Sequence, residues 1–416
     1  MKLPPAILVA ALAALAHLPS LAGVFHFDDY NVIVHYDTVH SWQAFFERWG
    51  DGVRPLLKAS YTFNWLYGGF ALFNIACHAV NAALLFFIGE RLFGDRRAAL
   101  IAALLFALHP AATEAVTYIS GRSSSLMAVF YLGAMLAYLR GAHWWISALL
   151  FVLAVATRET ALTLPAALLL CELCRGTAWA EIPRRQWPHW ALLAAGALFV
   201  LLNQRYFDLV AYGFGERSLA DNLLTQVGGV SYLILRLVSL HGYNIDPALP
   251  TLAEWTPALA FQAFSLLLLF TIGIMNFRAR PWIAFGIVWF FLQLAPTNSL
   301  VPRLDVANDR QLYLASWGLF LALCIQLRNL PSFAFAGVAI LFAATSIARQ
   351  LDYRSEIALW ESSVAQAPWN ARGHNNLGYA YQVAGRTQDA RREYQAALTF
   401  DPAYAKARLN LHFLGD

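Results

Sequence analysis

Two carboxylates stand side by side at Asp28 and Asp29, in the run F-H-F-D-D-Y-N that follows the first apolar stretch of the chain. Neighbouring carboxylates repel, and apolar surroundings penalise both charges. Together these effects raise one pKa toward the range in which a carboxylate serves as a general base. A solvated loop start that ends a helix would read the same way. Arg54-Pro55-Leu56-Leu57 comes next, after W-Q-A-F-F-E-R-W, an amphipathic stretch suited to the plane of a membrane interface. His109, Pro110, Thr113, Glu114, Gly121 and Arg122 gather between two apolar runs, and Arg158 with Glu159 occupies a short turn between two more. The plain reading of that last pair is a local ion pair. Pro296, Thr297, Asn298, Arg303, Asp305, Asp309, Arg310 and Tyr313 share one further connection. A guanidinium matches phosphate in a two-pronged geometry, so several arginines beside a carboxylate pair point to an anionic ligand.

Other chemistries lack their residues. The chain has no G-x-x-x-x-G-K-[ST] phosphate loop, no H-E-x-x-H metal helix and no G-x-S-x-G elbow. His35 and His40 lie near the carboxylate pair without the spacing of a metal site. No pattern requires a cofactor, and a divalent metal has no ligand set in its support. Cys77, Cys171, Cys174 and Cys324 all fall in apolar stretches, and the single C-x-x-C reads as buried structural thiols. The formal net charge is only +4, with the arginines spread over loops, so nucleic acid is not an expected partner.

The elements that must position these residues are membrane spans. The 416 residues are 59% hydrophobic and 13% charged, about half the charge of a soluble domain. Runs near the ~20 residues that cross a bilayer lie at 3–23, 69–90, 97–115, 124–140, 143–157, 160–174, 188–206, 256–276, 281–297, 312–328 and 331–348. The stretch 222–243 carries Gln226, Arg236 and His241, which argues against a crossing. With the N-terminus cytoplasmic, Arg91, Arg96, Arg97, Arg140, Arg175, Arg184, Arg185, Arg278, Arg280 and Arg328 all fall inside, as the positive-inside rule asks. About eleven crossings result. The 24–68 loop, the turns near 109–123 and 157–160, the 298–311 loop and the C-terminal tail then share the external side.

From Ala371 the tail follows a 34-residue tetratricopeptide pattern, with Leu377, Gly378, Tyr381, Ala390, Tyr394, Ala397 and Pro402 at its offsets. Residues 353–368 read as a helix of an earlier repeat and 405–414 as a capping helix. An independent solenoid needs about three repeats, so this short tail is expected to rest on the membrane domain. The organisation expected is all-α: a membrane domain over 1–350 and a helical tail over 351–416.

Several segments resemble known ones. F-H-F-D-D-Y-N-V-I resembles the Asp-Asp or Asp-Glu motif in the first external loop of GT-C fold glycosyltransferases. H-P-A-A-T-E-A-V-T-Y-I-S-G-R resembles the H-P-x-x-T-E-A-V…G-R segment of the transmembrane and tetratricopeptide-containing O-mannosyltransferases. R-E-T-A-L-T-L resembles their K-E-x-G-I-T, and A-P-T-N-S-L-V-P…D-R-Q-L-Y-L-A-S their P-x-S-N-L…E-R-x-L-Y-L-P-S. The resemblance implies inverting transfer of a sugar, mannose first, from a polyprenyl-phosphate carrier. The acceptor implied is a hydroxyl of protein Ser/Thr, with glycan or lipid behind it. Transfer would take place on the periplasmic or luminal face of a bacterial inner membrane or an ER-type membrane. By position, Asp28 would be the base with Asp29 its neighbour; Arg54, His109, Glu114 and Arg122 would shape the pocket, with Glu159 beside it. Arg158, Arg303 and Arg310 would take the donor phosphate. The chain departs from the family in its short tail and in Asp309-Arg310, where the family has Glu-Arg. The competing reading is a non-catalytic membrane scaffold that recruits partners through its tail. It would tolerate loss of the Asp28–Asp29 pair. A transporter is disfavoured because no inverted repeat is evident.

Overall fold

The computed structural model describes residues 4–50, 53–204, 208, 211, 215 and 217–415. Residue 3 of the expected 3–23 span, residues 51 and 52 of the first loop, 205 and 206 of the 188–206 span, and 416 of the tail lie outside the described residues. Among the described residues all regular structure is helical.

Prolines mark where many helices begin. Pro5, Pro55, Pro257 and Pro281 each open one, at a position whose N–H would find no helical partner anyway. The core is built on α3 (Phe70–Phe93), which packs against α1 (Pro5–Ala16), α4 (Arg96–Leu108) and α5 (Arg122–Leu139). The helix α2 (Pro55–Tyr67) leads into it, and α6 (Trp144–Thr157) and α7 (Leu164–Arg175) follow α5. After α8 (Ile182–Leu202), α9 (Leu219–Val238) and α10 (Pro257–Met275), the helix α12 (Leu312–Gln326) packs against α4, and α11 (Pro281–Leu294) packs on α12 and α7. A Cβ on Gly286 would sit 2.6 Å from the Gly318 carbonyl oxygen, so small residues set how closely α11 and α12 approach.

By length and composition, α3, α10 and α13 (Ser332–Asp352) can each cross a membrane. The pair 96–108 and 110–116, bent by 57°, makes a fourth candidate. The apolar helices α1, α6 and α11 are shorter. On α10, Phe261 is 71% exposed and Leu267 65%, apolar surface that a lipid environment would cover. The chain has membrane character.

Several apolar runs are shorter as α-helix than as sequence, two of them markedly. The first ends its α-helix at Ala16 and continues as a 3₁₀ turn, Leu18–Ala22. The 97–115 run breaks at His109, which is extended because the ring of Pro110 disfavours helical geometry in the preceding residue.

The tail comprises α14 (Glu356–Gln366), α15 (Ala371–Val383), α16 (Thr387–Phe400) and α17 (Ala405–Phe413). Ser355 and Asn370 cap the first two by accepting the amides of Ala358 and Gly373. A Cβ on Gly378 would lie 2.7 Å from the Tyr394 ring, so glycine permits the close approach of α15 and α16. The tail lies against two loops. His26 meets Glu356 at 2.8 Å and the Tyr353 carbonyl at 2.7 Å. Asn244 and Ser363 exchange two hydrogen bonds of 3.0 and 2.6 Å.

Candidate functional site

The 28–36, 53–61, 120–123 and 302–310 segments, with Arg158, line an open cavity of about 630 Å³. Asp28, Arg54, Arg158, Arg303 and Arg310, far apart in sequence, all line it. Phe27 and Arg54 flank or line the cavity with φ of 44° and 61°, in the left-handed region that non-glycine residues avoid. Such strain concentrates at ligand sites.

The two carboxylates divide. Asp28 reaches the cavity wall, and its amide donates to Tyr118 Oη at 2.9 Å. Asp29 is fully buried away from the cavity lining; its oxygens accept the His26 amide at 3.0 Å and the Ser120 amide at 2.7 Å. Burial, rather than repulsion between the neighbours, is the main cause of both shifts. It raises Asp28 above the ordinary carboxylate value against the pull of Arg310. It pushes Asp29 up to about 7 against the hydrogen bond from His26.

The cations differ in their partners. Arg54 forks onto Glu159 at 2.9 and 2.6 Å, so Glu159 pairs with it rather than with adjacent Arg158 as the turn suggests. Arg310 is held by Glu114, which accepts its amide at 3.0 Å and lies 3.6 Å from its Nε. Arg158 donates Nη1 to Ser123 and Ser124 and leaves Nε buried without a partner. Tyr61 Oη, on the same wall, is also buried and unpartnered. Among the described residues, Arg158, Arg303 and Lys58 have no carboxylate within ion-pair distance. Burial, and then the charge of Arg54, press the Arg158 pKa down to about 9; burial lowers that of Arg303 as well. An anion placed among them would relieve both. A smaller cavity of about 30 Å³ shares Arg158 and Arg310 with it.

The loop carrying Arg303 and Arg310 is fastened from outside. Asn298 donates to Gln226 at 2.9 Å, Asn222 to the Ser299 carbonyl at 2.7 Å, and Arg217 to the Arg303 carbonyl at 2.8 Å. The polar face of α9 that argues against a crossing is used here. Asp309 turns from the cavity and accepts the Asn244 amide at 3.1 Å; burial, with Glu114 nearby, raises its pKa.

His109 and Arg122 lie off the cavity. His109 packs on Phe342 with ring centres 4.5 Å apart and meets the Leu237 carbonyl at 3.2 Å. Arg122 is fully buried, donating to Asn74 at 2.6 Å and to the Ser60 and Phe70 carbonyls at 3.0 and 2.9 Å, with its guanidinium over Phe73. It ties α2, α3 and α5 together. Lys58, Tyr61, Ser120 and Ser123 line the cavity without having been singled out in sequence. Lys58 stands in the first turn of α2, four residues after Arg54 at its N-cap, a basic spacing that carried a readable signal. Among the described residues, no group of three His, Cys, Asp or Glu side chains converges as a metal site.

No protein-family model matches the chain. It is 25% identical over 444 residues to a protein O-mannosyl-transferase of Caenorhabditis elegans, an alignment covering 96% of this chain and 63% of the relative. It is 25% identical over 495 residues to one from Homo sapiens, covering 94% and 66%. A Drosophila melanogaster protein O-mannosyl-transferase is 40% identical over 132 residues, 29% of this chain and 15% of that protein. The likeness to O-mannosyltransferases read from the motifs is thereby borne out. The chain spans less than two thirds of the length of these relatives.

Proposed function

We propose that the chain is a GT-C type membrane glycosyltransferase. It transfers a sugar, mannose first, from a polyprenyl-phosphate donor to a hydroxyl of protein Ser/Thr. The observation that carries this reading is the carboxyl of Asp28 on the wall of a cavity whose charged groups, Asp305 apart, are otherwise the cations Arg54, Lys58, Arg158, Arg303 and Arg310. The relatives' shared name, protein O-mannosyl-transferase, supports the reaction and the acceptor. About eleven crossings, with the cavity and a tetratricopeptide-type tail on the non-cytoplasmic side, remain the topology that best accounts for the arginine distribution.

In this reading Asp28 takes the proton of the acceptor hydroxyl as its oxygen bonds to the sugar C1. The bond from C1 to the phosphate oxygen breaks on the opposite face, and the polyprenyl phosphate leaves with the electron pair. The configuration at C1 inverts. Arg158, Arg303 and Arg310 stabilise the charge gathering on the departing phosphate. Asp29 holds the Asp28 backbone in place.

The test is transfer from polyprenyl-phosphate mannose to hydroxyl-bearing peptides by purified chain, compared with Asp28→Asn. Loss of a base contributes roughly 10²–10⁴-fold, so the Asn variant is expected to fold and lose transfer by at least two orders. Equal transfer by both proteins would remove Asp28 as the base. Failure of both, across donors and acceptors, would favour a scaffold.

A further inference from the structure

Arg372 begins in the tail, in the first turn of α15, and its guanidinium reaches Asp305 on the cavity wall. Its Nε and Nη2 fork onto the two oxygens of Asp246, both at 2.6 Å, and Nη2 also donates to Asp305 at 2.8 Å. Asp246 is nearly fully buried, and its amide is held by the Asn244 side chain at 3.0 Å. Two more tail residues fasten the same loop. Asn370 donates to the Asp246 carbonyl at 3.0 Å, and Trp369 to the Ala248 carbonyl at 3.2 Å. Arg372 thus stands between the 244–248 loop and the loop that carries Arg303 and Arg310.

Asp305 is the partner that matters for the cavity. It lines the wall, two residues from Arg303 and five from Arg310, and its charge acts on both. Arg303 has no carboxylate partner of its own among the described residues. Without Arg372, the Asp305 carboxylate would turn to these cations, and an internal ion pair would cancel charge that a phosphate needs.

We propose that Arg372 is a positioning residue: by holding Asp305, the tail keeps Arg303 free, and Arg310 clear of a second carboxylate besides Glu114, for the phosphate of a lipid-linked donor. The inference rests on the anion-binding reading of the cavity given above. It makes the tail a working part of the site, through one fork that reads two loops at once.

The experiment measures binding of farnesyl phosphate to the full chain in detergent at fixed salt, for wild type, Arg372→Ala, Asp305→Asn and the double variant. Arg372→Ala is expected to weaken binding about tenfold, the size of one charge-assisted contact. Asp305→Asn alone is expected to bind as wild type or tighter. The double variant is expected to return to within about twofold of wild type, because the competing carboxylate is gone. A purely structural role of Arg372 predicts a double variant as weak as Arg372→Ala, which would overturn this inference and leave the anion reading intact. Weaker binding by Asp305→Asn alone would overturn it as well, and this arm holds even if Arg372→Ala does not fold. A wild-type chain that does not bind farnesyl phosphate would sink both readings.

Discussion

Asp29 Oδ1 accepts the Ser120 amide at 2.7 Å, joining the loop after α1 to the turn before α5 across 91 residues of chain. One residue earlier, Asp28 keeps its carboxyl on the cavity wall. Two adjacent acids of one motif thus do different work. One fixes the backbone, and the other faces whatever occupies the cavity.

The first prediction concerns Asp28. Burial raises its pKa above the ordinary 3.8, and Arg310 offsets part of the rise. A base must be ionised to act, so transfer is expected to climb with pH along a limb centred above that ordinary value. Asp28→Asn is expected to abolish the limb together with most of the rate. A limb centred at the unshifted carboxylate value, or one that persists in the Asn variant, would assign the base elsewhere.

Asp29 predicts a stability effect of the opposite kind. Its pKa is about 7 in the folded chain and 3.8 as the ordinary value. Between these values the folded chain binds a proton that the unfolded chain releases, so stability falls as pH rises from about 4 to about 7. Each unit is worth about 1.4 kcal/mol, so the whole effect is on the order of a few kcal/mol. Asp29→Asn, neutral throughout, is expected to flatten this dependence. Melting temperatures in detergent at pH 5 and pH 8, for both proteins, measure it, and an unchanged slope in the Asn variant would refute the assignment.

A third prediction separates the arginines. Arg303 holds no carboxylate among the described residues, so Arg303→Ala is expected to raise the donor KM about tenfold with little change in melting temperature. Arg54→Ala removes a cation and also releases Glu159 beside the cavity. Its KM is expected to rise further, and Arg54→Ala with Glu159→Gln to recover part of the loss. A double variant no better than Arg54→Ala would show that the freed carboxylate is not what harms binding.

Much of the cavity was legible because its charged residues stand in connections between apolar runs. Asp28, Arg54, Arg158, Arg303 and Arg310 could be grouped once those connections were placed on one side. Arg122 shows the limit. The resemblance places it in the pocket, yet its donors go to Asn74 and to the carbonyls of Ser60 and Phe70, 48 to 62 residues away. Periodicity marks an apolar face but does not tell which helix-end carbonyls remain unbonded. The fork from Arg372 to Asp246 spans 126 residues and leaves no local trace either. Helix ends were blurred where a proline or a 3₁₀ turn interrupts an apolar run, as at Pro110 and after Ala16.

The last prediction tests how Arg310 is held. A Cβ built on Gly121 would lie 2.1 Å from the Glu114 carbonyl oxygen, so the 119–121 turn can sit against the 113–116 helix only with glycine there. Glu114 in turn takes the Arg310 amide at 3.0 Å. Gly121→Ala should therefore cost about 1–3 kcal/mol of stability by overpacking and shift Glu114, weakening donor binding through Arg310. Gly133→Ala is the matched control, since its nearest foreign atom is 3.5 Å from the added carbon, an ordinary contact. A lower melting temperature and higher donor KM are expected for Gly121→Ala alone. If its melting temperature falls while the donor KM stays at the wild-type value, Glu114 does not set Arg310 for the ligand, and the contact serves the fold only.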